Sequence, residues 1–131
     1  MSSTPVFSNY ETENNNKAFH YSRAVRVGPW IKCAGQGGWD KEGVIPDDHD
    51  KQVLLAFENV EKAIKAAKGN GWQDVITIRT YHLDISKFSI FVDQFKKYMP
   101  NHMPTWTCVE VTKLGDPDML IEIEVEAYVT E

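Results

Sequence analysis

The apolar residues of this chain follow two rhythms that lay out most of its elements. In "DKQVLLAFENVEKAIKAAKGNGW", Val53, Ala56, Phe57, Val60, Ile64 and Ala67 recur at helical spacing on one face. Asp48 or Asp50 can cap the start of this helix, and Gly69 or Gly71 its end. In "SKFSIFVDQFKKYM", Phe88, Phe91, Val92, Phe95 and Met99 form a second helical stripe, with Ser86 as the expected cap and Pro100 as the stop. The other rhythm is alternation. Ile121, Ile123 and Val125 alternate with Glu122, Glu124 and Glu126, so one strand sends its apolar set to one side and its glutamates to the other.

Shorter strand patterns fill the remainder. "YSRAVRVGPWIKCAGQGG" predicts strands over about 22–27 and 30–34, joined at Gly28-Pro29. Gly35, Gly37 and Gly38 then surround Gln36 and leave the backbone open to close approach. "DVITIRTYHL" is a β-rich run containing Val75, Ile76, Ile78 and Tyr81. The chain is expected to end in a hairpin, "WTCVEVTKL" and "MLIEIEVEAYV" joined at "GDPD". The order β-β-α-β-α-β-β predicts an α+β sheet with two helices packed on one face. Parity groups Trp106, Cys108 and Glu110 on the first strand of that hairpin. They are expected on the face that the helices leave open, beside the glutamates. That face is then wet or shared with other subunits, and a small core favours assembly.

Composition adjusts this picture at a few points. At 131 residues, 42% hydrophobic and 25% charged, the chain is an ordinary single globular domain. A net charge of −5 without a basic run argues against nucleic acid. Residues 1–18 are polar, lack a secretory core and are expected to form a largely disordered tail, with the folded domain at 19–131. No stretch approaches the roughly 18 apolar residues of a membrane span, and the cytoplasm is the expected compartment. Cys33 and Cys108 are too sparse for a disulfide scaffold and read as reduced thiols. His20, His49, His82 and His102 show no metal-ligand spacing, so no metal site is expected; His20, beside Tyr21, is the one placed to line a cleft.

Three segments in order resemble the YjgF/Rid family, the reactive intermediate deaminases. They are "YSRAVRVGPWIKCAGQGG", "AFENVEKAIKAAKGNGWQDVITIRTYHLD" and "MPTWTCVEVTKLGDPDMLIEIEVEAYV". The resemblance runs from about Ala18 to Val129. It implies a chorismate-mutase-like fold and a homotrimer with a barrel-like centre and ligand clefts between subunits. Members with the established activity hydrolyse enamines and imines such as 2-iminopropanoate to a 2-oxo acid and ammonia, without a cofactor. By the same resemblance Tyr21 matches the family's tyrosine, Gly35 its cleft glycine, and Glu122 the glutamate thought to orient water. Val92 stands where an asparagine is often seen. Trp106 stands where an arginine holds the substrate carboxylate.

A guanidinium is a permanent charge that meets a carboxylate two bonds at a time, whereas indole offers one neutral donor and a flat apolar face. Trp106 is therefore either a platform for a flat or cationic ligand, or packing in a cleft or against a neighbouring subunit. Arg23, Arg26 and Arg79 are candidates for a displaced cation, though each is more often a surface charge. Tyr21 reads as ligand-facing, Gln36 as a ligand contact or a loop hydrogen-bonder, and Cys108 as a cleft residue with an inert thiol, since Glu110 and Glu124 disfavour a thiolate. Glu122 is the candidate catalytic group.

Three functions follow, in falling order. The first is a divergent hydrolase of deaminase type, acting on an unsaturated or aromatic metabolite and weak on standard 2-imino acids. The second is a non-catalytic trimer that binds a ligand or partner. The third, a ribonuclease or translation inhibitor, is a role also attached to the family and is disfavoured by the acidic chain.

Overall fold

In the computed structural model, which describes residues 3–11 and 13–130, the longest apolar stripe does form the main helix. Helix α2 (His49–Ala66), which follows the short α1 (Glu13–Phe19), buries Val53, Ala56, Phe57, Val60, Ala63 and Ile64. Asp48 caps it, its carboxylate accepting a bond from the Lys51 amide at 2.9 Å. At the other end Lys68, rather than a glycine, takes the left-handed conformation, with φ of 69°. Gly69 serves closeness instead, because a Cβ there would lie 2.6 Å from the Ile64 side chain.

Helix α3 (Ser89–Tyr98) follows a short 3-10 turn at Ile85–Lys87. Ser86 does not cap α3 as expected. Asp84 caps the turn through the Ser86 amide, and α3 starts at Phe88 without a side-chain cap. The two helices meet through aromatic rings: Phe57 lies 5.9 Å from Phe91 and 5.6 Å from Phe95, and stacks on Trp72 at 4.8 Å. The Trp72 indole donates to the Phe57 carbonyl at 2.9 Å, which satisfies the one polar atom of a fully buried ring.

Six strands form one sheet in the order β1-β2-β3-β6-β4-β5. They are β1 (Val6–Ser8), β2 (Ala24–Val27), β3 (Trp30–Cys33), β4 (Val75–His82), β5 (Thr105–Glu110) and β6 (Ile121–Tyr128). Strands β2 and β3 pair as the expected hairpin. The C-terminal hairpin is not formed. Strand β4 lies between β5 and β6, pairing parallel with β5 and antiparallel with β6. A parallel pair needs a crossover, and α3 supplies it.

That insertion decides the faces. Ile78, Thr80 and His82 of β4 are buried under the helices, and they lie opposite Trp106, Cys108 and Glu110. The parity grouping of these three holds, but they share the helix side rather than the open side. The open side carries Glu122, Glu124 and Glu126 opposite Tyr81, Arg79 and Thr77. Further along, Trp30 and Tyr128 stay exposed there and meet edge to face, 5.1 Å apart.

The N-terminal segment also departs from expectation. Residues read as a disordered tail supply the edge strand β1, paired with β2, and helix α1 (Glu13–Phe19). Tyr10 is buried, and its hydroxyl donates to the Gln36 carboxamide. Asn16 is buried too and holds the Tyr21 carbonyl at 2.9 Å. Among the described residues, no helix is long and apolar enough to cross a membrane.

Candidate functional site

Two glycine-dependent close approaches shape the cleft end of the sheet. After β3 the chain leaves its strand, and Gln36 bridges to Ile123 of β6 by a reciprocal pair of backbone bonds at 2.7 and 2.9 Å. This presses Gly35 against Glu122, so that a Cβ on Gly35 would lie 2.3 Å from the Glu122 carboxylate oxygen. Gly38 passes equally close to α2, where a Cβ would lie 2.2 Å from the Gln52 carbonyl. At Gly38 only a residue without a side chain lets the loop run this low, because the atoms it would meet are backbone, whereas at Gly35 a Cβ would push the Glu122 side chain aside.

Above Gly35 opens a cavity of about 660 Å³. Tyr21, Arg23, Gly35, Trp39 and Glu122 line it, and Tyr10 and Phe19 of the N-terminal segment contribute to its wall. Three of the candidates, Tyr21, Gly35 and Glu122, thus converge from three separate stretches of sequence. Burial raises the Glu122 carboxyl above its usual range, Glu124 adds to the shift, and the Arg23 charge opposes it. A carboxyl in that state sits closer to neutral conditions than an exposed one and can hold or pass a proton. Burial likewise pushes the Tyr10 hydroxyl far up, against the pull of Arg23. Glu124 is held below its usual range. Burial opposes this but is outweighed by hydrogen bonds from Tyr81, at 2.8 Å, and Lys32, at 3.2 Å.

The other candidates lie elsewhere. Gln36 is fully enclosed, with its amide donating to the Ala34 carbonyl at 2.9 Å and its carbonyl accepting from Tyr10. It is the loop hydrogen-bonder and stands behind the cavity wall, not on it. Trp106 is half-buried against α3, 5.0 Å from Phe95 and 6.2 Å from Phe88. Its indole nitrogen donates to the Thr80 hydroxyl at 2.9 Å, and that oxygen lies 2.7 Å from His82 Nε2. Burial lowers the His82 pKa, so the ring stays neutral, and the Thr80 hydroxyl can accept from Trp106 while donating to His82. Within the chain, then, Trp106 packs. Cys108, half-buried opposite Thr80, does not line the cavity either. The buried Cys33 thiol is pushed up to about 12, which leaves it inert.

The three arginines separate cleanly. Arg26 binds the Gly28, Ala67 and Lys68 carbonyls at 2.9–3.1 Å and so ties the β2–β3 turn to the end of α2. Arg79 lies on the open face opposite Glu124. Arg23 alone of the three lines the cavity. Among the described residues, no group of three potential ligands is placed to hold a metal ion. His20 lines a neighbouring groove rather than this cavity.

Residues 12–129 match the family described as endoribonuclease L-PSP. A RutC family protein of Pyrococcus horikoshii is 36% identical over 120 residues, covering 89% of this chain and 94% of its own. A crystal structure from Mycobacterium tuberculosis, of a YjgF/YER057c/UK114 family member, superposes with a TM-score of 0.82 at 32% identity, covering 96% of this chain and 100% of that one. TdcF of Escherichia coli, solved with bound serine, gives a TM-score of 0.75 at 29% identity and covers 84% of this chain and 88% of its own. The fold, the three matched segments and these similarities agree: the chain belongs to the YjgF/Rid family.

Proposed function

We propose that this protein binds a small molecule in the Tyr21–Gly35–Glu122 cavity and acts on it as a divergent hydrolase of deaminase type, most suited to an unsaturated or aromatic metabolite. The convergence of those three residues in one cavity carries the proposal. Glu122 orients a water and moves its proton, and its raised pKa suits that task. Backbone amides near Gly35 meet developing negative charge. No cofactor is required for this chemistry.

A homotrimer fits the open sheet face, whose exposed Trp30 and Tyr128 need covering. Trp106 and Cys108 lie on the other side of their own sheet. They join a cleft only if β5 of one subunit approaches the cavity of the next, as the family resemblance implies. The cytoplasm is the compartment proposed for it. Several cavity-rim residues, Glu11, Glu42 and Asp116 among them, are acidic and exposed, which disfavours a phosphate backbone and hence ribonuclease action.

Trp106 offers no charge to a carboxylate. A charge-assisted bond contributes about 1.5–3 kcal/mol, so its loss costs roughly tenfold to a hundredfold in turnover of standard 2-imino acids. The test is ammonia release from 2-iminobutanoate generated in situ. The expected rate is at least about tenfold below that of an arginine-bearing relative, and an equal rate contradicts the proposal. Ligand-induced quenching of tryptophan fluorescence with no chemical change in the ligand supports the second reading, a non-catalytic binding trimer.

A further inference from the structure

Tyr10 comes from the N-terminal segment, yet it lines the cavity while only 8% exposed. Its hydroxyl proton is spent on the carboxamide oxygen of Gln36. Burial pushes that hydroxyl far up, so it remains a donor throughout the neutral range. Gln36 is itself fully enclosed, and a buried carboxamide left without partners is costly. Its oxygen accepts from Tyr10, and its nitrogen donates to the Ala34 carbonyl at 2.9 Å.

These bonds bracket Gly35. On one side Ala34 is held by the Gln36 side chain and by its own amide, which donates to the Arg23 carbonyl at 2.8 Å. On the other side the Gln36 backbone exchanges two bonds with Ile123, the neighbour of Glu122, at 2.7 and 2.9 Å. The close approach of Gly35 to Glu122 is the product of that bracket. Farther along, Asn59 of α2 donates to the Gly37 and Trp39 carbonyls at 2.8 and 2.9 Å and fixes the loop without help from Tyr10. What Tyr10 controls is the stretch that faces Glu122.

We propose that Tyr10 is a positioning residue for the site: acting through Gln36, its hydroxyl holds Gly35 against Glu122 and keeps the carboxyl oriented toward its water. The inference rests on Glu122 being the water-orienting group and names the device that sets it. Without the hydroxyl, the Gln36 side chain releases Ala34, and Gly35 lifts from Glu122. Water then reaches the carboxyl, whose acidity moves toward that of an exposed glutamate. Glu124 and Arg23, the charges that also act on Glu122, stay in place through this change.

The test is Tyr10→Phe, which keeps the ring in the cavity wall and removes only the hydroxyl. Glu122 is titrated by carboxyl carbon-13 NMR in the full-length protein, and turnover of 2-iminobutanoate is measured alongside. The expected result is that the Glu122 midpoint, raised in wild type, falls toward the ordinary glutamate range in the variant. Turnover should drop about tenfold, with the loss in kcat and KM within about twofold of wild type. The titration decides where turnover is too slow to follow. If Tyr10→Phe does not fold, the double variant Tyr10→Phe/Gln36→Met takes its place. It removes the hydroxyl and the carboxamide together, so neither is left buried without the other, and the same fall in the midpoint is expected. A midpoint that stays raised in the folded variant, or an unchanged kcat, overturns the role of Tyr10 and leaves the site standing, because packing alone would move neither. A wild-type Glu122 that titrates like an exposed glutamate brings down the proposed function itself, and this inference with it.

Discussion

Glu122 and Trp106 belong to one sheet, but the chain treats them in opposite ways. The glutamate lies on the face opposite α2 and α3, at the wall of a cavity, pressed by a glycine and with its acidity shifted by burial. The tryptophan lies on the helix side, its ring against Phe95 and its nitrogen spent on Thr80. One residue is placed where chemistry can reach it, while the other holds β5 to α3. Resemblance alone assigns both to a ligand cleft. The physical environment separates them and adds Arg23 to the first.

Substitutions can break this contrast if it is wrong. The largest effect on stability is expected from Trp106→Ala. It removes a half-buried ring from α3 and leaves Thr80 without its donor, at a cost of about 2–4 kcal/mol read from the urea midpoint. Thr80→Val keeps the shape and deletes the shared hydroxyl. The indole and His82 nitrogens both lose a partner, for about 1–3 kcal/mol by the same measurement. Binding of phenylacetate, a small aromatic probe of the cavity, should match wild type in folded Thr80→Val.

Gly35→Ala should do the reverse. Its Cβ would displace the far end of a flexible side chain, so folding changes by less than about 1 kcal/mol. Probe affinity should nevertheless fall about tenfold as Glu122 is pushed aside. A Gly35→Ala protein that binds normally would remove Glu122 from the site.

Glu122→Gln should have the smallest effect, and its sign is fixed. Because the folded-state pKa is raised, the folded protein holds the proton more tightly than the unfolded chain. Stability from this group is full in acid and is lost as pH rises through the folded pKa. The variant should therefore gain stability over wild type at neutral pH and match it in acid, as measured by thermal midpoints across pH. A loss at neutral pH would mean that the ionised carboxylate is needed for folding.

Much of the architecture is legible in the sequence, because periodicity reports burial directly. The α2 stripe and the alternation of Ile121, Ile123 and Val125 with three glutamates both reappear as buried and unburied sides. Spatial order is not legible in this way. Parity assigns Trp106, Cys108 and Glu110 to one face but does not say which face, and the expected β5–β6 hairpin ignored the crossover that seats β4 between them. The N-terminal elements carry no apolar rhythm. Val6 and Phe7 remain exposed at 57% and 64%, so β1 is held by backbone pairing with β2 and by the buried anchor Tyr10. Trp39 and Tyr10 reach the cavity through a glycine-rich loop and that anchor, for which single-chain patterns give no signal. Arg23 stood among three equivalent arginines until packing distinguished it.

The most direct measurement compares two reporters. Phenylacetate quenching of tryptophan fluorescence is recorded for Trp39→Phe and for Trp106→Phe, each checked for folding. If the ligand lies in the Tyr21–Arg23–Glu122 cavity, Trp39→Phe loses most of the signal and Trp106→Phe keeps most of it. The opposite pattern, with the signal lost only when Trp106 is replaced, would contradict the account.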